Sequence, residues 1–369
     1  MIVNQNTALI DKMVLNNLLI TDIADIDYLA DTGILEVNPN PDVCSYYTDG
    51  GSFRQLKIKQ DDKIDLLSAG TVKTGKTWHT YCNLHTSVHH IGGNLTCNTV
   101  QDYQEQVNDI QTALRGKYGI KMDTIFATVK QIEINRTIKL DDDFRWYHRV
   151  LQLIMFNLPY PFAKQMDFRK KAAGEMQCDT YYATTRKTAK SKKYQELKIY
   201  NKSKQLQQVI TVSDGWMRVE LKIVGATKIK KELGTNDLSK LTDKQINDYF
   251  DKMMQKLIVQ PYRKWQQEQK KAIKKIMLEQ REINLKRWQI GTLTRILDIE
   301  IEKQCPVALD IDQILAVVPE LKDIPVRYIK SIQQNMDDQA GKCAAVLCNC
   351  DSDRMEEIIS KLTSKSNPL

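Results

Sequence analysis

The sequence predicts an α+β fold, in which an antiparallel sheet is backed by helices and followed by a helical C-terminal region. Three observations predict this class. Residues 1–95 consist of short alternating segments broken by turn signals, which is typical of strands and hairpins. From Thr99 the apolar spacing becomes helical, and from Thr128 it alternates again. We expect three regions: an α+β domain at 1–238, a basic helical region at 239–304 and a small helical domain at 305–369.

The individual elements follow from these spacings. Apolar residues at steps of three and four predict a helix that is capped by Thr99 and ends near Gly116. Residues 128–140 predict a strand, residues 144–155 a second helix, and residues 196–202 and 216–224 two further strands. A basic turn at 186–193 precedes the strand at 196–202. Thr242 and Gln245 predict a capping box, and Pro261 is expected to open a long basic helix to about Lys303.

Composition and charge restrict the class of protein. The 369 residues carry 54 Lys and Arg against 46 Asp and Glu, a formal net charge of +8, which suits an anionic partner. The N-terminus lacks a signal-peptide pattern, and no apolar run is long enough to span a membrane. We therefore expect a soluble cytoplasmic protein with no membrane partner.

Much of the excess positive charge lies in the basic helix. Residues 263–287 contain nine Lys or Arg and three Glu, a local net charge of +6. Balanced pairing at i, i+4 does not account for this excess, so the helix is predicted to contact DNA. A solvated helix face is the alternative. The residues expected to touch DNA here are Lys270, Lys271, Lys274 and Lys275.

Three predicted strands share a pattern in which one face is apolar and the other carries reactive polar groups. The polar residues are Glu133 and Asn135 in the first strand, Lys198, Tyr200 and Lys202 in the second, and Arg218, Glu220 and Lys222 in the third. If the strands are neighbours, these side chains meet on one surface. Taken singly, each residue is more often a packing or solvated position of an ordinary sheet.

Together these groups suit the cleavage and transfer of a phosphodiester. Paired carboxylates such as Glu133 and Glu220 bind Mg²⁺ or Mn²⁺, and a tyrosine hydroxyl can attack phosphorus. Because the ordinary pKa of tyrosine is near 10, Tyr200 needs nearby cations or a metal to act as a nucleophile, and Lys202 is expected on the same strand face. Lys198, Lys222 and Arg218 are expected to bind or stabilise the phosphate.

Residues 197–206 (LKIYNKSKQL) and 216–234 (WMRVELKIVGATKIKKELG) resemble the filamentous-phage gene II family of replication initiators. That family has a Tyr-x-Lys strand, followed by an Arg-x-Glu strand that runs into a basic stretch. The earlier segment 129–135 (VKQIEIN) is similar to the family's acidic strand, although Lys130 and Gln131 stand where Arg is commoner. The similarity covers roughly residues 70–250, and no one motif is diagnostic alone.

The resemblance implies a Rep-like nicking domain of the HUH type and a rolling-circle replication initiator. Tyr200 would be the nucleophile that forms a 5′-phosphotyrosine and leaves a 3′-hydroxyl primer, with Lys202 and Arg218 assisting. Glu133 and Glu220 would bind Mg²⁺ or Mn²⁺. Origin DNA, single-stranded at the nick, and a host helicase and polymerase are the implied partners.

The histidine ligand is less well defined by the resemblance. Related initiators carry a His-hydrophobic-His pair, which this sequence lacks, and Gly92, Gly93 and Asn94 stand where the relatives have Gly-His-Asn. His89 is our candidate for the third ligand. The alternatives are His79, His85 and His90.

Two other functions are compatible with the sequence. Residues 70–77 (GTVKTGKT) match the phosphate-binding loop pattern of NTPases, but the following residues favour a strand, so a hairpin turn is the expected structure. A non-catalytic DNA-binding regulator would use the basic helix alone. Cys343, Cys348 and Cys350 lack a fourth zinc ligand nearby, and a Cys-rich helix face is the simpler interpretation.

Overall fold

The computed structural model describes residues 7–37, 46–48, 51–61, 64–74, 77–87, 98–170, 176–188, 190–207, 213–268 and 349–363. The first half of the chain is mainly strands, interrupted by two helices. Its elements are β1 (Leu9–Asn16), β2 (Leu19–Ile23), α1 (Ile26–Asp31), β3 (Leu35–Val37), β4 (Tyr46–Thr48), β5 (Gly51–Asp61), β6 (Ile64–Thr74), β7 (Thr77–Ser87), α2 (Val100–Tyr118), β8 (Ile120–Asp123) and β9 (Thr128–Lys139).

The second half adds four strands and most of the helices. Its elements are α3 (His148–Asn157), β10 (Ala163–Lys170), β11 (Met176–Thr184), β12 (Tyr194–Asn201), α4 (Lys202–Leu206), β13 (Trp216–Val224), α5 (Ala226–Leu233), α6 (Asp243–Met254) and α7 (Asn349–Thr363). A 3₁₀ turn at Phe144–Tyr147 leads into α3. No helix in these described ranges is both long and apolar enough to cross a membrane.

One large antiparallel sheet organises the described part of the chain. Its strand order is β10-β11-β12-β13-β9-β1-β7-β6-β5-β3, with β4 paired to β5, while β2 and β8 form a separate pair. The expected α+β class, a sheet backed by helices, is confirmed at this level. Apolar residues in the middle of the sheet, such as Ile132, Ile134 and Leu221, are buried. There α5, α6 and α7 pack against β9, and α3 packs against β11.

Local sequence signals set several helix ends. Thr99 accepts a hydrogen bond from the Asp102 amide and the Asp102 side chain accepts one from the Thr99 amide, which completes a capping box at the start of α2. The helix ends later than Gly116, because Gly119 takes up the left-handed conformation and serves as the C-cap. The predicted capping box of Thr242 and Gln245 is confirmed in α6.

Two expectations about local structure were wrong. Pro261 does not open a helix: α6 passes through a π turn at Gln255–Val259 and continues as helix to Glu268. The wider π turn accommodates a residue that lacks an N–H and would clash with a regular preceding turn. Lys202 is not on a strand, since Asn201 accepts a hydrogen bond from the Lys204 amide and caps α4. Beyond Glu268, the predicted basic helix lies outside the described residues.

The described residues of the phosphate-binding loop pattern at 70–77 lie in two antiparallel strands. β6 and β7 pair antiparallel on either side of it, with Thr74 opposite Thr77. A phosphate-binding loop needs a helix after the strand, so that helix-terminal amides can bind the phosphates. The strand that follows here excludes this alternative.

A buried arginine connects the sheet to two helices. Arg136 shares the apolar face of β9, and its side chain is 2% exposed. Its guanidinium forms an ion pair with Asp251 of α6 (3.0 Å), lies over the Phe250 ring and donates to the Leu362 carbonyl of α7. Burial lowers the pKa of Arg136. The residue therefore holds a distant part of the chain against the sheet through polar contacts within an apolar layer.

Replacing Arg136 with Met should lower the free energy of unfolding by about 2 kcal/mol, because the Leu362 carbonyl and the Asp251 carboxylate lose their partner. Denaturant unfolding followed by circular dichroism measures this. The matched control is Arg115→Met at the exposed end of α2, which should change stability by less than about 1 kcal/mol. Equal effects of the two substitutions would contradict the anchoring role.

Candidate functional site

The strands that carry the three polar faces are direct neighbours. In β12, β13 and β9, Tyr200 pairs with Arg218, and Arg218 pairs with Thr137. The next row joins Lys198, Glu220 and Asn135, and the row after it joins Glu196, Lys222 and Glu133. Because paired residues of an antiparallel sheet lie on the same face, these nine side chains form one surface, the polar floor. The three strands are neighbours, as the prediction required, but Lys202 is not among these paired residues, and the roles of the residues stay predictions.

Tyr200 and Glu220 form the central contact of the polar floor. The Tyr200 hydroxyl donates a hydrogen bond of 2.6 Å to Oε1 of Glu220, and both residues are more than nine-tenths buried. Burial and the negative charge of Glu220 raise the pKa of Tyr200 well above its ordinary value, although Arg218 opposes the shift. Burial and Glu220 therefore outweigh the lowering effect of the Arg218 charge on the pKa of Tyr200. In the resting site the phenol is protonated and points at a carboxylate.

Lys198 covers this pair from the half-exposed side. Its ammonium lies 3.4 Å from Oε2 of Glu220 and 4.2 Å from the centre of the Tyr200 ring. It is also 5.9 Å from the Tyr182 ring on β11. The side chain of Lys198 is 30% exposed, so an incoming anion can reach it more readily than it can reach the buried residues beneath.

Arg218 is held from two sides. Its Nε donates to the Thr137 hydroxyl at 2.8 Å, and its Nη1 lies 3.3 Å from Oδ1 of Asp11. Asp11 was not among the residues expected from the sequence. It reaches the floor because β1 has a register shift between Ile10 and Lys12, and such bulges depend on strand pairing rather than on a local signal.

Lys202 is a buried lysine beside the tyrosine. It is 1% exposed, its ammonium donates to Oε1 of Gln205 at 2.6 Å, and it lies 5.9 Å from the Tyr200 ring centre. Burial and the nearby Arg218 charge lower its pKa to about 7. A lysine with this pKa exchanges a proton readily near neutral pH, which an ordinary surface lysine does not do.

Glu133 lies at the other end of the floor, one row from Glu220. Its Oε1 pairs with Lys222 at 2.8 Å and accepts a hydrogen bond from Gln131 at 3.0 Å. The two expected metal-site carboxylates thus share a surface but occupy diagonal positions. Each is paired with a lysine.

The described residues do not supply a metal centre on their own. No group of three His, Cys, Asp or Glu side chains within them lies close enough to hold an ion. His85 lies on β7, two strands from Glu133, and burial and the charges of Lys12 and Lys130 lower its pKa. His79 belongs to the same strand, but its side chain is outside the described part, as are His89 and His90.

The remaining predicted residues lie largely outside the described part of the chain. Lys270, Lys271, Lys274 and Lys275 lie outside the described residues, so their predicted contact with DNA stays a prediction. The same is true of Cys343 and Cys348, whereas the backbone of Cys350 belongs to the first turn of α7.

Comparisons with known proteins give distant structural similarity. No family model matches the chain, and no curated protein matches it. Among solved structures, a rolling circle replication initiator protein from Geobacillus stearothermophilus is 9% identical, with 68% of this chain and 85% of that chain covered and a TM-score of 0.31. The di-domain ARO/CYC protein StfQ of the steffimycin biosynthetic pathway is 8% identical, with 66% and 93% covered and a TM-score of 0.20. TM-scores of this size do not establish a shared fold.

The low pKa of Lys202 predicts a pH-dependent stability. Between pH 7 and about 9.5 the unfolded chain holds a proton on this lysine and the folded protein does not, so stability should rise with pH. Lys202→Met removes this contribution, and the gap in unfolding free energy between the proteins should shift by up to about 1.4 kcal/mol per pH unit. Urea unfolding at several pH values measures it. A gap that does not vary with pH would show that Lys202 keeps an ordinary pKa.

Proposed function

We propose that this protein is a rolling-circle replication initiator of the Rep-like nicking type, which cleaves one DNA strand and keeps its 5′ end as a phosphotyrosine on Tyr200. The observation that carries the proposal is the 2.6 Å hydrogen bond from the Tyr200 hydroxyl to Glu220, in a floor that also presents lysine and arginine. A nucleophile paired with a proton acceptor and placed beside phosphate-binding cations is the arrangement that phosphodiester transfer requires.

Glu220 is the group that can accept the proton of the Tyr200 hydroxyl. A phenol that stays protonated in the resting site attacks phosphorus only if its proton leaves as the new bond forms. Oε1 of Glu220 already accepts that proton in a hydrogen bond. As the tyrosine oxygen bonds to phosphorus, the proton passes to Glu220 and the bond from phosphorus to the 3′ oxygen breaks.

Lys198 controls access to the pair. In the resting site its ammonium pairs with Glu220 and covers the Tyr200 ring. A DNA phosphate competes for this ammonium, because the phosphate carries a full charge and Lys198 is the more exposed partner. Drawing Lys198 onto the phosphate uncovers the Tyr200 ring and releases Glu220 from its lysine partner.

Lys202 and Arg218 assist the remaining steps. Arg218, fixed by Thr137 and Asp11, stabilises negative charge on the phosphate oxygens without having to reorganise. The departing 3′ oxygen needs a proton, and Lys202, whose pKa is about 7, can supply one near neutral pH. The products are a 5′-phosphotyrosine and a free 3′ hydroxyl, which a host polymerase extends behind a host helicase.

The resemblance implies Mg²⁺ or Mn²⁺ bound by Glu133, Glu220 and His89. The described residues alone do not fit this ion. Glu133 is paired with Lys222 and Glu220 with Lys198, and no three-ligand cluster is present among the described residues. An ion at this position has to displace both ammonium groups. We therefore assign no step to it, and the metal stays a proposal.

Metal binding can be tested separately from catalysis. If Mn²⁺ binds through Glu133, titration calorimetry should show a site that Glu133→Gln weakens at least tenfold, because a charged oxygen ligand is lost. Glu36→Gln, an exposed carboxylate on β3, is the control and should leave binding unchanged. Equal binding by all three proteins would exclude Glu133 as a ligand.

The nicking reaction is tested with a supercoiled plasmid that carries the protein's coding region and its flanks, incubated with Mg²⁺ or Mn²⁺. We expect nicked circles with covalently attached protein. Tyr200→Phe should abolish the covalent product, and Glu220→Gln should slow its formation by about 10² to 10⁴, the usual contribution of a positioned base. Denaturing gels of end-labelled DNA measure both.

Tyr182→Phe is the matched control, because Tyr182 lies on the same face one strand away and pairs with Lys198. It should nick like the unmodified protein. Loss of the product in both tyrosine variants would mean that the surface, not the Tyr200 hydroxyl, is what matters. DNA binding without any nicking would instead support a non-catalytic regulator.

A further inference from the structure

The basic turn between β11 and β12 lies at the far end of the polar floor from Tyr200. Residues 186–193 carry five cations and no carboxylate, namely Arg186, Lys187, Lys190, Lys192 and Lys193. All of them are exposed. The proposed nicking reaction leaves this turn unexplained. Tyr194 at its edge is six residue steps along β12 from Tyr200, about 20 Å.

The turn is built by its own hydrogen bonds. The Ser191 amide donates to the Thr188 carbonyl at 3.0 Å, the Thr188 amide donates to the Ser191 hydroxyl at 3.2 Å, and Nε of Arg186 donates to the Thr188 carbonyl at 3.1 Å. It also packs against the start of α5. A Cβ added to Gly225, which has a φ of +108°, would lie 2.8 Å from Cγ of Lys193. The hydrogen bonds therefore fix the backbone of the turn that carries these cations.

Cations and tyrosine rings alternate from the turn to the nucleophile. Arg186 lies 5.3 Å from the centre of the Tyr194 ring, and Tyr194 interacts electrostatically with Lys222 on the floor. Further along, Lys198 lies over the rings of Tyr182 and Tyr200. Tyr182 and Tyr194 are half-buried, with part of each residue open to solvent.

Charge balance decides which part of this path attracts a phosphate chain. On the floor three cations are already matched by carboxylates: Lys198 by Glu220, Lys222 by Glu133 and Arg218 by Asp11. The turn has no acid of its own, so its four lysines add net positive charge at this end of the path. A basic segment joined to exposed aromatic rings is the combination that binds single-stranded nucleic acid.

We propose that the 186–193 turn, with Tyr194 and Tyr182, is a binding track that holds the single strand leading to Tyr200. The cations of the turn bind backbone phosphates, and the two rings stack against bases. This inference rests on the proposed nicking function for its biological meaning. Binding of single-stranded DNA at this turn does not itself depend on catalysis.

The test is fluorescence anisotropy of the full chain with a labelled oligothymidylate of about 16 nucleotides, at several salt concentrations. The triple variant Lys190→Gln/Lys192→Gln/Lys193→Gln should bind roughly tenfold more weakly near 0.15 M salt, and its salt slope should fall by about 2. The control triple variant Lys57→Gln/Lys59→Gln/Lys121→Gln removes three exposed lysines elsewhere and should bind like the unmodified protein. Equal losses in both triples would overturn the proposal.

The stacking component has its own pair of variants. Tyr194→Leu should weaken binding by about tenfold, while Tyr194→Phe should bind normally, because the ring and not the hydroxyl stacks on a base. Duplex DNA of the same length should be insensitive to Tyr194→Leu. Normal binding of the single strand by Tyr194→Leu, or an equal loss for duplex, would overturn the track.

Nicking is measured on the same samples. If the unmodified protein nicks and both sets of variants bind normally, the track is wrong and the nicking function stands. If the unmodified protein does not nick but the turn variants lose single-strand binding, the track stands and the nicking function is wrong.

Discussion

Alternate residues of β12, β13 and β9 stay on one face only while the antiparallel register of these strands holds. A slip by one residue would turn Tyr200 and Glu220 toward the helices and expose Leu221 and Ile199 in their place. The free energy of burying the apolar face therefore fixes the polar face as well. Since the apolar residues of these strands are almost wholly excluded from water, the register is strongly specified and so is the geometry of the candidate site.

The polar floor places charges where water is scarce. Arg218 and Lys202 are each about 1% exposed, and an unpaired charge at such a depth would cost several kcal/mol. The structure limits this cost by pairing Arg218 with Asp11 and by allowing Lys202 to lose its proton near neutral pH. The site is thus a set of mutually dependent groups, in which a change at one position alters the charge state of the next.

Sequence periodicity was sufficient to identify β9, β12 and β13 and the residues on their faces, except for Lys202, which was expected on β12 and lies in α4. It predicted that these faces would meet, and the strand pairing confirms this. It did not identify Asp11, because a bulge is a property of paired strands, nor did it anticipate that burial would raise rather than lower the pKa of Tyr200. The prediction that Pro261 opens a helix was also wrong, because the π turn that accommodates this proline has no simple sequence signature. These differences depend on tertiary contacts, which local patterns do not contain.

The anchoring of α7 through Arg136 has a consequence for how the chain acquires its structure during synthesis. Strand β9, which carries Glu133 and Asn135, is synthesised early. Helix α7, which covers its apolar side, comes much later: Arg136 and its partner Leu362 are more than two hundred positions apart. Contacts of such long sequence separation form late and slowly. During synthesis on the ribosome, part of the apolar layer of the sheet therefore stays uncovered until α7 emerges. In this interval the nascent chain is most exposed to aggregation or to chaperone binding.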